Sequence, residues 1–332
     1  MSVKSSRNPP SLSVQFLAYT RSPRMKKFLA IAAMLAMNSV FAEEIHYGDL
    51  NYFLKQGQFN VGVDTIINNE GTRTNESDKT EVDNYFVDSR FAFALSDSLN
   101  FTLGLNYLYD GQTEVNQGSS ADDAGLQNPK LGANFRLLKQ SDAFFNLDLG
   151  AVATIKVIDR EVGTVNKEGN NLNPLFSNYA EPRNTLDLNA RIGKKWDEAN
   201  EFYLTGGIAY HMDGEYEELE GEMVDMDSSI DLKVAALYQY RPVDEFMAIF
   251  GVTGTRFSEV KGENGSTDFT ITDHIDYQFV FNAKYLINES LIAKFVFTQD
   301  SRNDFDFETD AGNTTFDKRN GLQYGVGVDF LF

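Results

Sequence analysis

From Phe59 onward the chain alternates apolar and polar positions with a period of two. Phe59, Val61 and Val63 take one phase, while Gln58, Asn60, Gly62 and Asp64 take the other. The period returns in Tyr85, Val87, Phe91, Phe93 and Leu95, and again in Leu99, Phe101, Leu103, Leu105, Tyr107 and Tyr109. Successive side chains of a strand point to opposite faces, so each stretch predicts a β-strand with one greasy and one wet side. The last stretch, GLQYGVGVDFLF, carries the pattern most cleanly. Leu322, Tyr324, Val326, Val328, Phe330 and Phe332 oppose Gln323, Gly325, Gly327, Asp329 and Leu331.

The connections are sorted by length. Ser96-Asp97-Ser98 is too short for anything but a hairpin turn. Strands ending near Leu138, Trp196, Arg241 and Ile287 are joined by 139–143, 197–200, 242–245 and 288–290 to strands starting near Phe145, Phe202, Phe246 and Leu291. Between these hairpins lie long polar connections, roughly 67–82, 110–126, 157–184, 213–229, 257–274 and 299–320. Five short and six long connections join about twelve strands, with both termini on the short-turn side. Four rising strands also place a glycine (Gly104, Gly150, Gly207, Gly251) five residues after their first apolar residue, always on the wet face. Glycine there relieves crowding where a closed sheet must coil.

The terminal strand, ending in Phe, resembles the closing strand of bacterial outer-membrane β-barrels. Strict alternation of tight turns and long loops agrees with that resemblance. The expected fold is therefore all-β, a single antiparallel transmembrane β-barrel of about twelve strands over residues 59–332, with short periplasmic turns and long extracellular loops. By the same resemblance, Tyr324, Val326, Val328, Phe330 and Phe332 form the signal read by the barrel assembly machinery. If the apolar face meets lipid, two aromatic girdles appear. Trp196, Phe202, Tyr240 and Tyr285 lie toward the short turns, and Tyr85, Tyr107, Tyr109, Tyr210 and Tyr277 toward the long loops. Lys194 falls on the lipid phase, close enough to Trp196 to snorkel.

The inward phase carries both signs of charge. Arg90, Lys130, Arg136, Arg191, Lys195, Lys233, Arg241, Lys284 and Lys294 face Asp64, Asp88, Asp148, Asp187, Asp231, Asp276 and Asp329. Charge of this kind belongs in a hydrated or salt-bridged lumen rather than in lipid. Eight strands leave room only for side chains and sixteen leave a channel, so about twelve is compatible with a pore or a filled interior.

Upstream of the barrel, Met25-Lys26-Lys27 followed by FLAIAAMLAMNSVFA reads as a signal peptide over 25–42, cleaved after Ala42, with 1–24 an over-extended start. Loss of residues 1–42 removes six basic residues and no acidic one. Residues 43–58 carry the cluster Tyr52-Phe53-Leu54 and read as a periplasmic lead-in, a lumen plug or an extra strand. The 332-residue chain has 49 Asp+Glu against 29 Lys+Arg, a formal charge of −20, and no cysteine. That balance argues against nucleic-acid binding, and the missing cysteine excludes disulfides and thiolate metal sites. Acidic outer loops should favour cations at the mouth at low salt.

Candidate chemistry is sparse. His46 precedes the barrel, His211 and His274 sit on the inward phase near long loops, and none has a recognisable nucleophile or metal-ligand spacing. No enzyme activity and no cofactor is expected. The acidic run DGEYEELEGEMVDMD, Asp213 to Asp227, is a solvated external loop or a loose divalent-cation site beside lipopolysaccharide. DFDFETD, Asp304 to Asp310, lacks the glycine and glutamate of a calcium loop and alternates like a strand extended beyond the bilayer. GLQNPKLGANFRLL, Gly125 to Leu138, is similar to an element of putative outer-membrane transporters of the meta pathway of phenol degradation. Gly125, Gly132, Phe135, Arg136, Leu137 and Leu138 match, and Gln127-Asn128 depart from its Gly-Asp. That resemblance implies a channel for small, aromatic molecules. The reading is thus a passive channel or facilitator for small solutes, aromatic or apolar ones among them, in contact with outer-membrane lipid and lipopolysaccharide. The rival is a non-conducting structural or surface-interaction barrel.

Overall fold

In the computed structural model the described residues are 47–332, apart from 75–77, 116–118, 142–143, 158–182, 218–222, 266 and 311. The proposed start, the signal peptide and His46 lie outside them.

Twelve antiparallel strands close into a barrel. In chain order the wall begins with β1 (Phe59–Thr74), β2 (Asp78–Ser96) and β3 (Leu99–Val115). The next wall strand is in two pieces, β4 (Ser119–Leu126) beside the outer half of β3 and β5 (Lys130–Leu138) beside its inner half. The break falls at Gln127–Pro129, where Pro129 has no N–H to give the ladder. Gly125 before it takes a φ of 155°, which L-residues rarely adopt. The wall continues through β6 (Asn146–Thr154), β7 (Thr185–Lys195) and β8 (Asn200–His211). After the small hairpin β9 (Gly214–Glu217) and β10 (Met223–Met226) come β11 (Ser229–Val243) and β12 (Phe246–Phe257). A second hairpin, β13 (Val260–Asn264) and β14 (Thr267–Ile271), precedes β15 (His274–Asn288) and β16 (Leu291–Arg302). A third, β17 (Phe305–Thr309) and β18 (Gly312–Phe316), precedes β19 (Arg319–Leu331), which pairs with β1 and closes the wall.

The short turns fall where the sequence puts them. The expected outer loops differ. β1 and β2 pair as far as Thr74 and Asp78, and the three small hairpins join one another through β10–β13 and β14–β17 and reach β1 at Thr74. The wall therefore continues past the bilayer. Backbone hydrogen bonds need no lipid, but strands wet on both sides lose the alternation that marks them in sequence. DFDFETD does lie largely in β17, as its pattern indicated. Inside these extensions Val224 and Phe269 are buried together, with Met226, Ile271 and Phe307 packed against them.

Residues with the apolar phase form the outer surface. Phe93, Phe101, Leu204, Val252, Phe279 and Val326 are all exposed, as the lipid face of a barrel must be. Both aromatic girdles are outward: Tyr240 and Tyr285 below, Tyr85, Tyr107, Tyr109, Tyr210 and Tyr277 above. Trp196 stacks on Phe202 at 4.7 Å in the lower one. Lys194 differs from expectation. It is 5% exposed, with its ammonium 5.6 Å from the centre of the Phe145 ring, so a cation–π contact takes the place of snorkelling. No helix among the described residues is long and apolar enough to cross a membrane, which says nothing of strands.

Candidate functional site

The interior is polar. Asp64, Asp148, Asp231, Asp276, Glu201 and Lys294 are buried, and buried charges of this kind require partners. Asp148 on β6 accepts from Arg136 Nε on β5 at 2.7 Å and from Arg191 Nη2 on β7 at 2.6 Å. Those three residues stand directly opposite one another on adjacent strands. Lys294 on β16 lies 2.8 Å from both Asp64 and Asp329, and Asp64 also accepts from Arg90. Lys233 pairs with Asp187, and Arg302 with Asp276 at 2.6 Å. Cross-strand pairing thus joins most of the inward bases to inward acids. Gly150 serves this packing: a Cβ there would stand 2.7 Å from Asn189 Oδ1 and 2.8 Å from Asn134 Oδ1.

Residues 47–58 enter the periplasmic end of this interior rather than adding a strand. Asp49, 4% exposed, lies 2.5 Å from Arg241 Nη2 and 3.0 Å from Lys195 Nζ. The N–H groups of Leu50 and Asn51 donate to the two oxygens of Glu201, both at 2.7 Å. Arg136 donates to the Asn51 carbonyl at 3.0 Å and lies over the Phe53 ring at 4.6 Å. Lys284 donates to the Gly48 carbonyl at 3.0 Å. Gly48 takes a φ of 95°, which favours glycine, and a Cβ there would press on the side-chain ends of Ile292 and Met247 at 2.9 and 3.1 Å. The segment returns through Tyr52, whose hydroxyl donates to Gln58 at 2.6 Å, and Tyr47, whose hydroxyl accepts from Asn60 at 2.8 Å. Burial pushes both phenols above their ordinary range, with the charge of Asp329 adding at Tyr47, so both stay protonated.

Of the inward residues expected from sequence, Arg136, Arg241, Lys195 and Lys284 converge on this segment. Arg90, Asp148, Arg191, Lys233 and Lys294 belong to the ion pairs of the wall, and Lys130 is exposed at the outer start of β5. Glu201, Asp49 and Asn51 were not anticipated. Glu201 fell at the edge of an expected turn, although it shares the phase of Tyr203, Thr205 and Gly207 and so had to face inward.

The two described histidines sit near the outer end. His211 lies between the Thr185 hydroxyl, 3.1 Å from Nδ1, and Asp231, 2.8 Å from Nε2. A hydroxyl–imidazole–carboxylate chain is a catalytic arrangement in principle, but Thr185 is only 6% exposed and offers a substrate carbonyl no approach. Sequence spacing missed it because the partners sit on three different strands. His274 is stacked between Phe257 and Phe305, at 4.7 and 4.8 Å, and Phe305 stacks on Phe316 at 4.9 Å. Of the acidic run 213–227, residues 214–217 and 223–226 form the β9–β10 hairpin and 218–222 lie outside the described set. Among the described residues no group of three or more potential ligands is placed to hold a metal ion.

No family description matches the chain, and no curated protein matches it. The likeness of Gly125–Leu138 to phenol-pathway transporters therefore rests on that hairpin alone. Among solved structures the chain is similar to an outer-membrane channel from Pseudomonas putida F1, with 15% identity, 87% of this chain and 100% of that one covered, and a TM-score of 0.55. It also overlaps the transport unit of the autotransporter AIDA-I from Escherichia coli, with 13% identity, 89% and 97% covered, and a TM-score of 0.47. The CymD monoaromatic hydrocarbon channel overlaps with 9% identity, 84% and 89% covered, and a TM-score of 0.41. At such identities the likeness is one of fold. With a lipid-facing apolar band and aromatic girdles around a charged interior, the chain has the fold of an outer-membrane β-barrel.

Proposed function

We propose that the barrel is a passive channel or facilitator for small solutes, closed at its periplasmic end by residues 47–56. One observation carries the reading. Inside the wall, the side chains of Arg90 and Lys233 remain 51% and 44% exposed, so water-sized space lies beside both that a side-chain-filled barrel would lack. The similar fold in Pseudomonas putida is that of an outer-membrane channel, which supports the same reading. Small aromatic or apolar solutes are the class favoured by the Gly125–Leu138 resemblance, and the ring column at the mouth suits them. No step of chemistry is assigned to the protein. The terminal strand serves the assembly machinery, and the acidic outer hairpins stand beside lipopolysaccharide.

The contacts of Asp49, Leu50 and Asn51 favour a second reading, a permanently blocked structural barrel. Deleting residues 43–56 and recording purified protein in planar bilayers separates the two. Discrete steps in the full chain that grow in the deletion support a closable channel; a full chain that stays silent while the deletion conducts supports the blocked barrel.

A further inference from the structure

By count, the lumen is close to neutral. Its accessible surface is not. In the pair Arg90–Asp64 the base is 51% exposed and the acid 6%; in Lys233–Asp187 the values are 44% and 26%, and in Arg191–Asp148 24% and 4%. The carboxylates lie back against the wall while the cations reach into the lumen. Lys294, buried between its two aspartates, does not share this exposure, and neither do Arg136 beside Asp148 or Lys195 and Arg241 beside Asp49. Lys130 is exposed and has no ion-pair partner among the described residues.

Placement adds to this asymmetry. Arg90, Gly104 and Lys130 stand opposite one another on β2, β3 and β5, so two bases flank a bare glycine across about 10 Å of sheet. Lys233 stands on β11, six wall strands from β2 and hence on the facing side of the barrel. Water in the lumen therefore meets guanidinium and ammonium groups from both walls.

We propose that Arg90, Lys130 and Lys233 form an anion-binding belt, so that the channel prefers small carboxylates to cations of equal size. The proposal rests on the channel reading and adds a charge preference to it, one that small aromatic carboxylates would also meet. A low-dielectric wall focuses the field of such groups onto the lumen. The exposed acids of the outer hairpins, among them Glu215, Asp225, Glu263 and Asp268, oppose it at the mouth. Their reach is set by the Debye length, about 30 Å at 0.01 M salt and about 10 Å at 0.1 M. The mouth should dominate at the lower concentration and the belt at the higher one.

Two measurements on the full chain test the belt. Reversal potentials across potassium chloride gradients should change from cation preference near ~0.01 M to anion preference above ~0.1 M. Replacing all three bases (R90Q, K130Q, K233Q) should abolish the anion preference; Asp64 keeps Lys294 in that protein, and Asp187 and Asp88, each 26% exposed at the side chain, are left to water and the new amides. Cation preference at every salt concentration would overturn the proposal. Chloride-35 line broadening by the protein in micelles, displaced by sodium acetate, reads the belt without conduction. K130Q should weaken the displaceable component about three- to tenfold. A bilayer without conductance but with acetate-sensitive broadening would sink the channel reading and keep the belt. Broadening absent, or identical in K130Q, would sink the belt whatever the conductance.

Discussion

Phe59 and Phe332 exchange both of their backbone hydrogen bonds, at 2.9 and 2.7 Å, with their rings 6.4 Å apart. The first residue of the first strand is thus locked to the last residue of the chain, and the barrel closes at the edge that faces the periplasm.

Deleting Phe332, or replacing it by Asp, should therefore impair assembly. The deletion loses two backbone bonds worth about 1 kcal/mol each, and either change removes a ring whose full burial is worth about 1.5–3 kcal/mol, although Phe332 is 72% exposed on the outer surface. The loss of heat-modifiable protein from the outer-membrane fraction should exceed what this modest stability change explains, because we propose that the terminal strand also serves as the assembly signal. Undiminished folded protein in the membrane would refute that role.

Asp49→Asn should loosen the inner segment while leaving the wall intact. Arg241 and Lys195 are 10% and 4% exposed at the side chain and would lose the Asp49 carboxylate, a disruption that costs about 3–5 kcal/mol for a buried pair. The chain has no cysteine, so a single Leu50→Cys probe reports the docking. Maleimide should label it faster in the Asp49→Asn background, with unchanged heat-modifiability. Equal labelling rates would show that Asp49 does not hold the segment.

The glycines of the wall should differ in tolerance. A Cβ on Gly251 would stand 2.8 Å from the Ala236 carbonyl, which cannot swing aside, whereas one on Gly206 meets nothing within 4 Å. Gly251→Ala should cost about 1–3 kcal/mol through overpacking, visible as a lower temperature of heat modification, and Gly206→Ala should leave that temperature unchanged. Similar values for both would contradict the account of the repeat.

Much of this was legible in the sequence. The period of two fixed which residues face lipid, and the short turns set the strand count, because a membrane imposes both features on the chain. Of the outer hairpins only β17 was legible, in the alternation of DFDFETD; the others are four- or five-residue strands, too short to carry a recognisable period. Nor was the fate of residues 47–58. Asp49 meets Arg241 across 192 positions of sequence, and nothing local to Asp49 distinguishes it from a solvated acid. Arg136 was found by its phase and its motif, but only the folded chain brings it to both Asp148 and the Asn51 carbonyl. The asymmetry of the ion pairs was equally hidden: Arg90 and Asp64 share a face, and which of them reaches the water depends on side-chain length and on Lys294 beside Asp64.

Conductance of the full chain against the chain lacking residues 43–56 tests the central claim most directly. Arg90 and Lys233 keep water-accessible side chains inside the wall, and the segment bound at its periplasmic end is held through Asp49, Asn51 and Glu201. Discrete steps in planar bilayers, larger in the shortened chain than in the full one, are the expected result. A folded, heat-modifiable barrel that gives no step in either form would contradict the account.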